Sequence, residues 1–290
     1  MEGFVKAIDL SNDPILPTFS DSIDQVIGGG FFPGCITEIA GQSGVGKTQL
    51  CLQLCANVQL PEVLGGLEGE SVYLDCNGGF STNRLTEICR PTKEMGLKVM
   101  KEMNENVLQL ENQNFLNGVI YRRVGSIRDF EKALDELVST VLQENDSIKL
   151  LIVDSIAFHF RYPLLEDVNS NKKKTTATLQ SIAQKLQVIT NKYKLVTIVT
   201  NQMTTKISKD NELGLEIGEL IPALGESWSH ACSNCVLLEY VQPKTATAVH
   251  IENSKRVVRS LKLIKSSKVA CNGRALYCIT SDGVRDTEYE

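Results

Sequence analysis

Residues 36–50 read Ile-Thr-Glu-Ile-Ala-Gly-Gln-Ser-Gly-Val-Gly-Lys-Thr-Gln-Leu. The run Cys35–Ala40 predicts a strand, and the residues from Lys47 to about Gln59 predict a helix. Between them, Gly41-Gln42-Ser43-Gly44-Val45-Gly46-Lys47-Thr48 fits the pattern GxxxxGK[ST] in the strand–turn–helix setting that the pattern requires. The glycines let the backbone curl so that its N–H groups point inward at phosphate oxygens, and the helix start adds favourable partial charge. Lys47 is expected to reach the β and γ phosphates, and the Thr48 hydroxyl to ligate Mg²⁺. A chance match in a chain of this length arises on the order of once in a hundred at average residue usage.

Outward from this loop, strand and helix signals alternate. Ser71–Asp75, Val119–Val124, the wholly apolar Leu150–Val153 and Leu195–Thr200 predict strands. Ile127–Gln143, with apolar residues at helical spacing, and Thr176–Asn191 predict helices. The alternation predicts an α/β fold with a doubly wound, mostly parallel sheet. Val236–Tyr240, Ser260–Ile264 and Leu276–Thr280 predict shorter strands that extend it antiparallel. Phe160–Lys174 and Thr204–Leu220 read as loops. Both follow central strands, where ligands of open α/β sheets bind. Asp154 ends the strand Leu150–Val153, placed to hold a metal-bound water beside the phosphate loop. Asn191-Lys-Tyr-Lys194 lacks the aspartate of the guanine-reading NKxD pattern, so a GTPase is disfavoured.

The chain has 290 residues, 42% hydrophobic and 22% charged, enough for a packed core and against wholesale disorder. Its apolar runs are too short to span a membrane, so no membrane partner is expected. The first ten residues lack a basic start and an apolar signal core, so a protein that is not secreted is expected. The nine cysteines are odd in number and irregularly spaced, and read as small buried hydrophobes. Cys232-Ser-Asn-Cys235 lies near His230 but lacks a second cysteine pair, so no zinc is expected.

The net charge of −5 conceals a polarity. Residues 155–200 carry seven cations and two anions, and residues 241–274 carry eight and one, which leaves −17 for the remainder. Two basic segments on an acidic body favour a polyanionic partner.

Several motifs together resemble the RecA-type recombinases of eukaryotes, the Rad fifty-one group. They are residues 36–50, VYLDCNGGF (72–80) with Arg84 after it, LLIVDS (150–155), VTNQM (199–203), ALGESWSHA (223–231) and SDGVRD (281–286). Within the group the chain is most similar to the C-paralogue branch, on IAFHFR (156–161), TNQMTTKI (200–207) and IPALGESWSHA (221–231). The resemblance covers about residues 18–287. It implies a RecA-like ATPase domain over 18–287, a linker over 1–17 and a tail over 288–290. It also implies ATP and Mg²⁺ as cofactors, single-stranded DNA as a partner, and other recombinase paralogues and the main recombinase as protein partners in homologous recombination in the nucleus.

By the same resemblance Gln202 senses the γ-phosphate. The segment after it, with Lys206 and Lys209, matches a second DNA-binding loop, and the segment with Arg161, Lys172, Lys173 and Lys174 matches a first. His230 matches a histidine linking nucleotide state to the second loop. Phe4 and Ala7 resemble a Phe-x-x-Ala docking motif, though only about 17 residues precede the resemblance, where the family carries a small helical domain. One departure concerns catalysis. The family has a glutamate in a pattern like D-T-E-G, and here Asp75-Cys76-Asn77-Gly78 puts Asn77 in its place. An amide can orient a water but cannot take its proton. ATP binding with weak hydrolysis is expected, with Asp75 or Glu70 as possible substitutes for the base. A non-hydrolysing structural subunit and another RecA-fold motor or kinase are the alternatives.

Overall fold

The computed structural model describes residues 14–160, 169–209, 216–241 and 257–287, with the backbone alone described in 169–172, 207–209 and 216–217. Its elements in chain order are α1 (Asp21–Ile27), β1 (Cys35–Gly41), α2 (Lys47–Asn57), β2 (Glu70–Asp75), α3 (Thr82–Glu102), α4 (Leu108–Asn112), β3 (Val119–Arg123), α5 (Ile127–Glu136) and β4 (Ile148–Asp154). There follow α6 (Asn169–Lys192), β5 (Val196–Asn201), β6 (Met203–Lys209), β7 (Glu216–Pro222), α7 (Gly225–Ala231), β8 (Asn234–Tyr240), β9 (Arg259–Lys265), β10 (Arg274–Thr280) and β11 (Gly283–Asp286).

Nine described strands form one sheet in the order β11-β10-β9-β8-β1-β5-β4-β2-β3. The pairs from β8 to β3 are parallel, and those from β8 to β11 antiparallel. Every residue of β1 and β5 is buried, as expected of parallel strands covered on both faces. The pleat sends alternate side chains into two cores. Ile39, Tyr73, Ile152 and Ile198 meet α2, α3 and α4, while Ile36, Leu74, Val153 and Val199 meet α5, α6 and α7. In α2 every residue from Leu50 to Asn57 is buried. Truncating such a leucine to alanine costs roughly 2–5 kcal/mol, so the phosphate loop ahead of α2 rests on a rigid seat.

The structure corrects several sequence expectations. Thr204–Leu220 is largely a hairpin, with β6 and β7 antiparallel from Met203↔Pro222 to Lys209↔Glu216. Alternation there is weak because the hairpin stands off the main sheet. The expected loop Phe160–Lys174 ends in helix, since α6 begins at Asn169, seven residues before the expected Thr176. β8 runs parallel to β1, because α7 carries the chain back across the sheet, and only β9–β11 extend it antiparallel. The run after Ile127 is α5 followed by a π-turn, Leu137–Val141, and a last helical turn. The sequence reading passed over α3, which contains Pro91 yet keeps a regular buried face of Leu85, Ile88, Cys89, Thr92, Gly96 and Met100. Ser81 caps its start by accepting the Arg84 N–H.

Eight of the nine cysteines are buried and Cys271 is exposed. Burial pushes the Cys235 thiol up to about 11 and that of Cys232 up as well. No helix among the described residues is long and apolar enough to cross a membrane.

The N-terminal turn carries a pH-dependent contact. Asp24 accepts from Thr18 N at 2.9 Å, Thr18 Oγ1 at 2.8 Å and Phe19 N at 3.0 Å. Burial nevertheless pushes its carboxyl from the ordinary 3.8 up to about 6. Between these values the folded chain binds more protons than the unfolded one, so this group's contribution falls as pH rises from 3.8 to about 6. Asp24→Asn removes the titration. Denaturant unfolding across that range should lose stability less steeply in the variant than in the wild type, and equal slopes would refute the assignment.

Candidate nucleotide site

The phosphate loop leaves β1 at Gly41 and enters α2 at Lys47. Gly46 caps α2 with φ +111°, and Gly44 has φ +76°. A Cβ at Gly46 would stand 2.5 Å from Ile279 Cδ1, so the backbone favours glycine there and a larger residue would also displace the tip of Ile279. Two tyrosines hold the loop's outer side. Tyr277 Oη donates to Val45 O at 3.0 Å and Tyr240 Oη to Ser43 O at 3.3 Å.

The loop lines a cavity of about 570 Å³, which Asn77, Asp154, Gln202 and Leu220 also line. Lys47 Nζ donates to Gly41 O at 2.7 Å and to Gln42 O at 2.9 Å. Burial lowers its pKa and the nearby charge of Asp154 pulls it part-way back. Asp154 is buried at the end of β4 and accepts three hydroxyl donors. Thr48 Oγ1 at 2.6 Å and Tyr73 Oη at 2.7 Å reach Oδ2, while Thr200 Oγ1 at 2.6 Å reaches Oδ1. Thr48 and Asp154 thus put two hard oxygens side by side on the cavity wall. That donor set suits Mg²⁺, which keeps several waters and takes one or two protein oxygens.

The strand-tip loop 75–80 is built around Asp75. Its buried carboxylate accepts backbone N–H groups of Asn77, Gly78, Gly79 and Phe80, the Tyr121 hydroxyl at 3.2 Å and Arg123 Nη1 at 3.0 Å. Asn77 Oδ1 accepts from Gly79 N at 2.8 Å, an Asx turn. Asp75 is therefore spent on holding the loop. Glu70 begins β2, at the opposite end of the strand, and takes a hydrogen bond from Asn145. Neither lines the cavity. Sequence reasoning missed Tyr73 and Thr200, and it considered Asp75 only as a substitute base. The signal was a row of hydroxyl residues at strand ends flanking Asp154.

Gln202 follows β5, and its carbonyl accepts Ala223 N–H at 2.8 Å, which closes the foot of the β6–β7 hairpin. Lys206 is exposed on β6, and Lys209 ends that strand. His230 is exposed on α7. Lys172, Lys173 and Lys174 lie in the first two turns of α6, with Lys173 and Lys174 exposed. Arg161, Phe4 and Ala7 lie outside the described residues. The described cations of the C-terminal basic segment are engaged within the protein. Lys262 pairs with Glu239, and Lys265 donates to Ser229 O and Cys232 O. Arg259 and Lys268 lie over the rings of Tyr240 and Phe32, and Arg274 donates to Ser260. Among the described residues no cluster of three or more His, Cys, Asp or Glu could hold a metal.

Comparison with known proteins adds a relationship. The family model described as Rad51 matches residues 14–287. A DNA repair protein RAD51 homolog 3 of Cricetulus griseus is 32% identical over 82% of this chain and 63% of its own length. The protein of that name in Dictyostelium discoideum is 33% identical over 82% and 62%. A DNA repair and recombination protein RadA of Metallosphaera sedula is 29% identical over 94% and 72%. The aligned part of the chain thus spans a little under two thirds of the first two relatives.

The loop geometry sets an expectation for Gly46→Ala. Strain at φ +111° together with the Ile279 contact should cost on the order of 1–3 kcal/mol. Denaturant unfolding measures it, and an unchanged midpoint would show that the loop does not hold this conformation.

Proposed function

The chain belongs to the Rad51 family, with a RecA-like α/β core, and we propose that it is an ATP-binding paralogue of the recombinases, acting on DNA in homologous recombination and double-strand break repair. One observation carries this reading. The phosphate loop, the Thr48–Asp154 pair, Asn77 and Gln202 share one cavity, and the chain leaves Gln202 directly into a hairpin whose foot that residue closes.

Lys47 and the inward N–H groups bind the phosphates of ATP, and Thr48 and Asp154 hold Mg²⁺. The ion, when bound, neutralises phosphate charge. Asn77 orients a water without accepting its proton, so hydrolysis is slow. Gln202 meets the terminal phosphate and transmits its presence to the hairpin as an order–disorder change. Lys206 and Lys209 on the hairpin, Arg161 and Lys172–Lys174 ahead of and within α6, and His230 on α7 form the face toward single-stranded DNA. The domain runs over 18–287, with 1–17 a linker in which Phe4 and Ala7 dock on a partner recombinase or paralogue, in the nucleus. A purely structural, non-hydrolysing subunit is the second reading, favoured by the Asx turn that engages Asn77 Oδ1.

Labelled-ATP binding and turnover test this. Lys47→Ala should abolish binding, and the wild type should hydrolyse slowly. Asn77→Glu, which supplies a carboxylate, should raise turnover about tenfold or more. Fast turnover in the wild type, lost in Lys47→Ala, would refute weak hydrolysis. Turnover absent from both wild type and Asn77→Glu would favour the structural subunit.

Salt dependence tests the DNA face. Replacing Lys173 and Lys174 by Ala should flatten the log–log salt slope of single-strand binding by about 0.7 for each phosphate that the variant no longer neutralises. An unchanged slope removes α6 from the interface.

A further inference from the structure

The central strand β1 carries one carboxylate in its interior. Glu38 is 1% exposed and lies opposite Val199 of β5 and Cys235 of β8. Burying a carboxyl at the middle of a parallel sheet costs free energy that an aliphatic residue would not, so its partners matter. Asn201 Nδ2 donates to Oε1 at 2.6 Å and Cys235 Sγ to Oε2 at 3.3 Å. The indole N–H of Trp228 faces the same carboxyl without reaching hydrogen-bonding geometry, and the Lys265 ammonium stands close enough to favour its charge. Burial still holds Glu38 above its ordinary carboxylate range.

The two flanking groups sit at the two roots of the β6–β7 hairpin. Asn201 is the last residue of β5 and is fully buried. Its Oδ1 has no hydrogen-bond partner, so the bond from Nδ2 to Glu38 is what orients the amide. The next residue is Gln202, on the cavity wall. Trp228 sits on α7, which follows β7 after a short turn, and Lys265 fixes the end of α7 through Ser229 O and Cys232 O at 2.8 Å each.

We propose that Glu38 is a positioning residue: it grips Asn201 at one root of the hairpin, faces Trp228 at the other, and so fixes how Gln202 presents itself to a bound phosphate. The proposal rests on the nucleotide reading of the cavity. Glu38 touches no substrate and acts through Asn201.

The 290-residue chain contains a single tryptophan, so Trp228 emission reports directly on this cluster. Binding of a labelled ATP with Mg²⁺ is measured for the wild type, Glu38→Ala, Gln202→Ala and the double variant. Glu38→Ala should weaken binding about tenfold, which corresponds to about 1.4 kcal/mol, and should add less than about twofold in the Gln202→Ala background. An equal loss in both backgrounds marks a merely structural role and overturns the proposal. Glu38→Gln keeps an oxygen for Asn201 but turns an N–H₂ toward the indole. It should retain affinity within about threefold and at least halve the Trp228 emission change on adding Mg²⁺-ATP. An unchanged response in Glu38→Gln, or no response in the wild type despite binding, overturns the proposal even where Glu38→Ala fails to fold. If the wild type binds no nucleotide, the functional reading fails. Trypsin cleavage after Lys206 then decides the clamp: faster cleavage in Glu38→Gln supports it, and equal cleavage overturns it.

Discussion

The carboxylate of Asp154 is the contact on which the phosphate-loop end of this molecule depends. Three hydroxyls from three elements converge on it, Thr48 from α2, Tyr73 from β2 and Thr200 from β5. A buried charge with this many donors is stabilised where a lone one would be expelled or neutralised. The same contacts lock the register of the phosphate-loop helix against the strand tips. Asp154 also accepts, through its backbone carbonyl, the Cys76 N–H, which starts the loop that Asp75 organises. On the far side, Tyr240 and Tyr277 hold the phosphate loop through Ser43 and Val45. The loop is therefore braced from both flanks by the protein itself, which reduces the ordering cost of ligand binding.

Much of this frame was legible in the sequence because parallel sheets write themselves as short apolar runs. Cys35–Ala40, Leu150–Val153 and Leu195–Thr200 differ from β1, β4 and β5 by at most two residues at either end. Phosphate-loop glycines are equally legible, since Gly44 and Gly46 occupy positive φ. The hairpin was not legible. Its strands pair with each other and leave the main sheet, so burial does not impress alternation on them. α3 was obscured by Pro91 and by charged residues on its outer face, although its inner face keeps helical spacing. Asp75 stands in a recognisable segment, Asp75-Cys76-Asn77-Gly78, but nothing local gives its role as the loop's organiser. Its role exists because the loop after it curls back, which only three-dimensional structure shows.

Charge distribution behaves differently once positions are known. The net −5 conceals two basic segments, yet five cations of the second, Arg259, Lys262, Lys265, Lys268 and Arg274, have partners within the chain. Lys265 supports the C-terminal end of α7, where backbone carbonyls concentrate negative partial charge. A sequence excess of lysine and arginine thus mixes structural caps with surface charge. Lys173 and Lys174 at the start of α6 are exposed, as are Lys268 and Arg274.

Asn77 belongs to the loop that Asp75 and Asp154 hold in place. Its side chain closes an Asx turn on Gly79, while the neighbouring Asp75 already gathers four backbone N–H groups, a tyrosine hydroxyl and Arg123. A glutamate at 77 has one more methylene than the turn accommodates, and it would place a second carboxylate beside Asp75. The turn to Gly79 would be given up, at roughly 1 kcal/mol. The asparagine is therefore matched to the loop that holds it. Turn geometry and a second carboxylate compete at this position, and in this chain the local hydrogen bonds favour the turn.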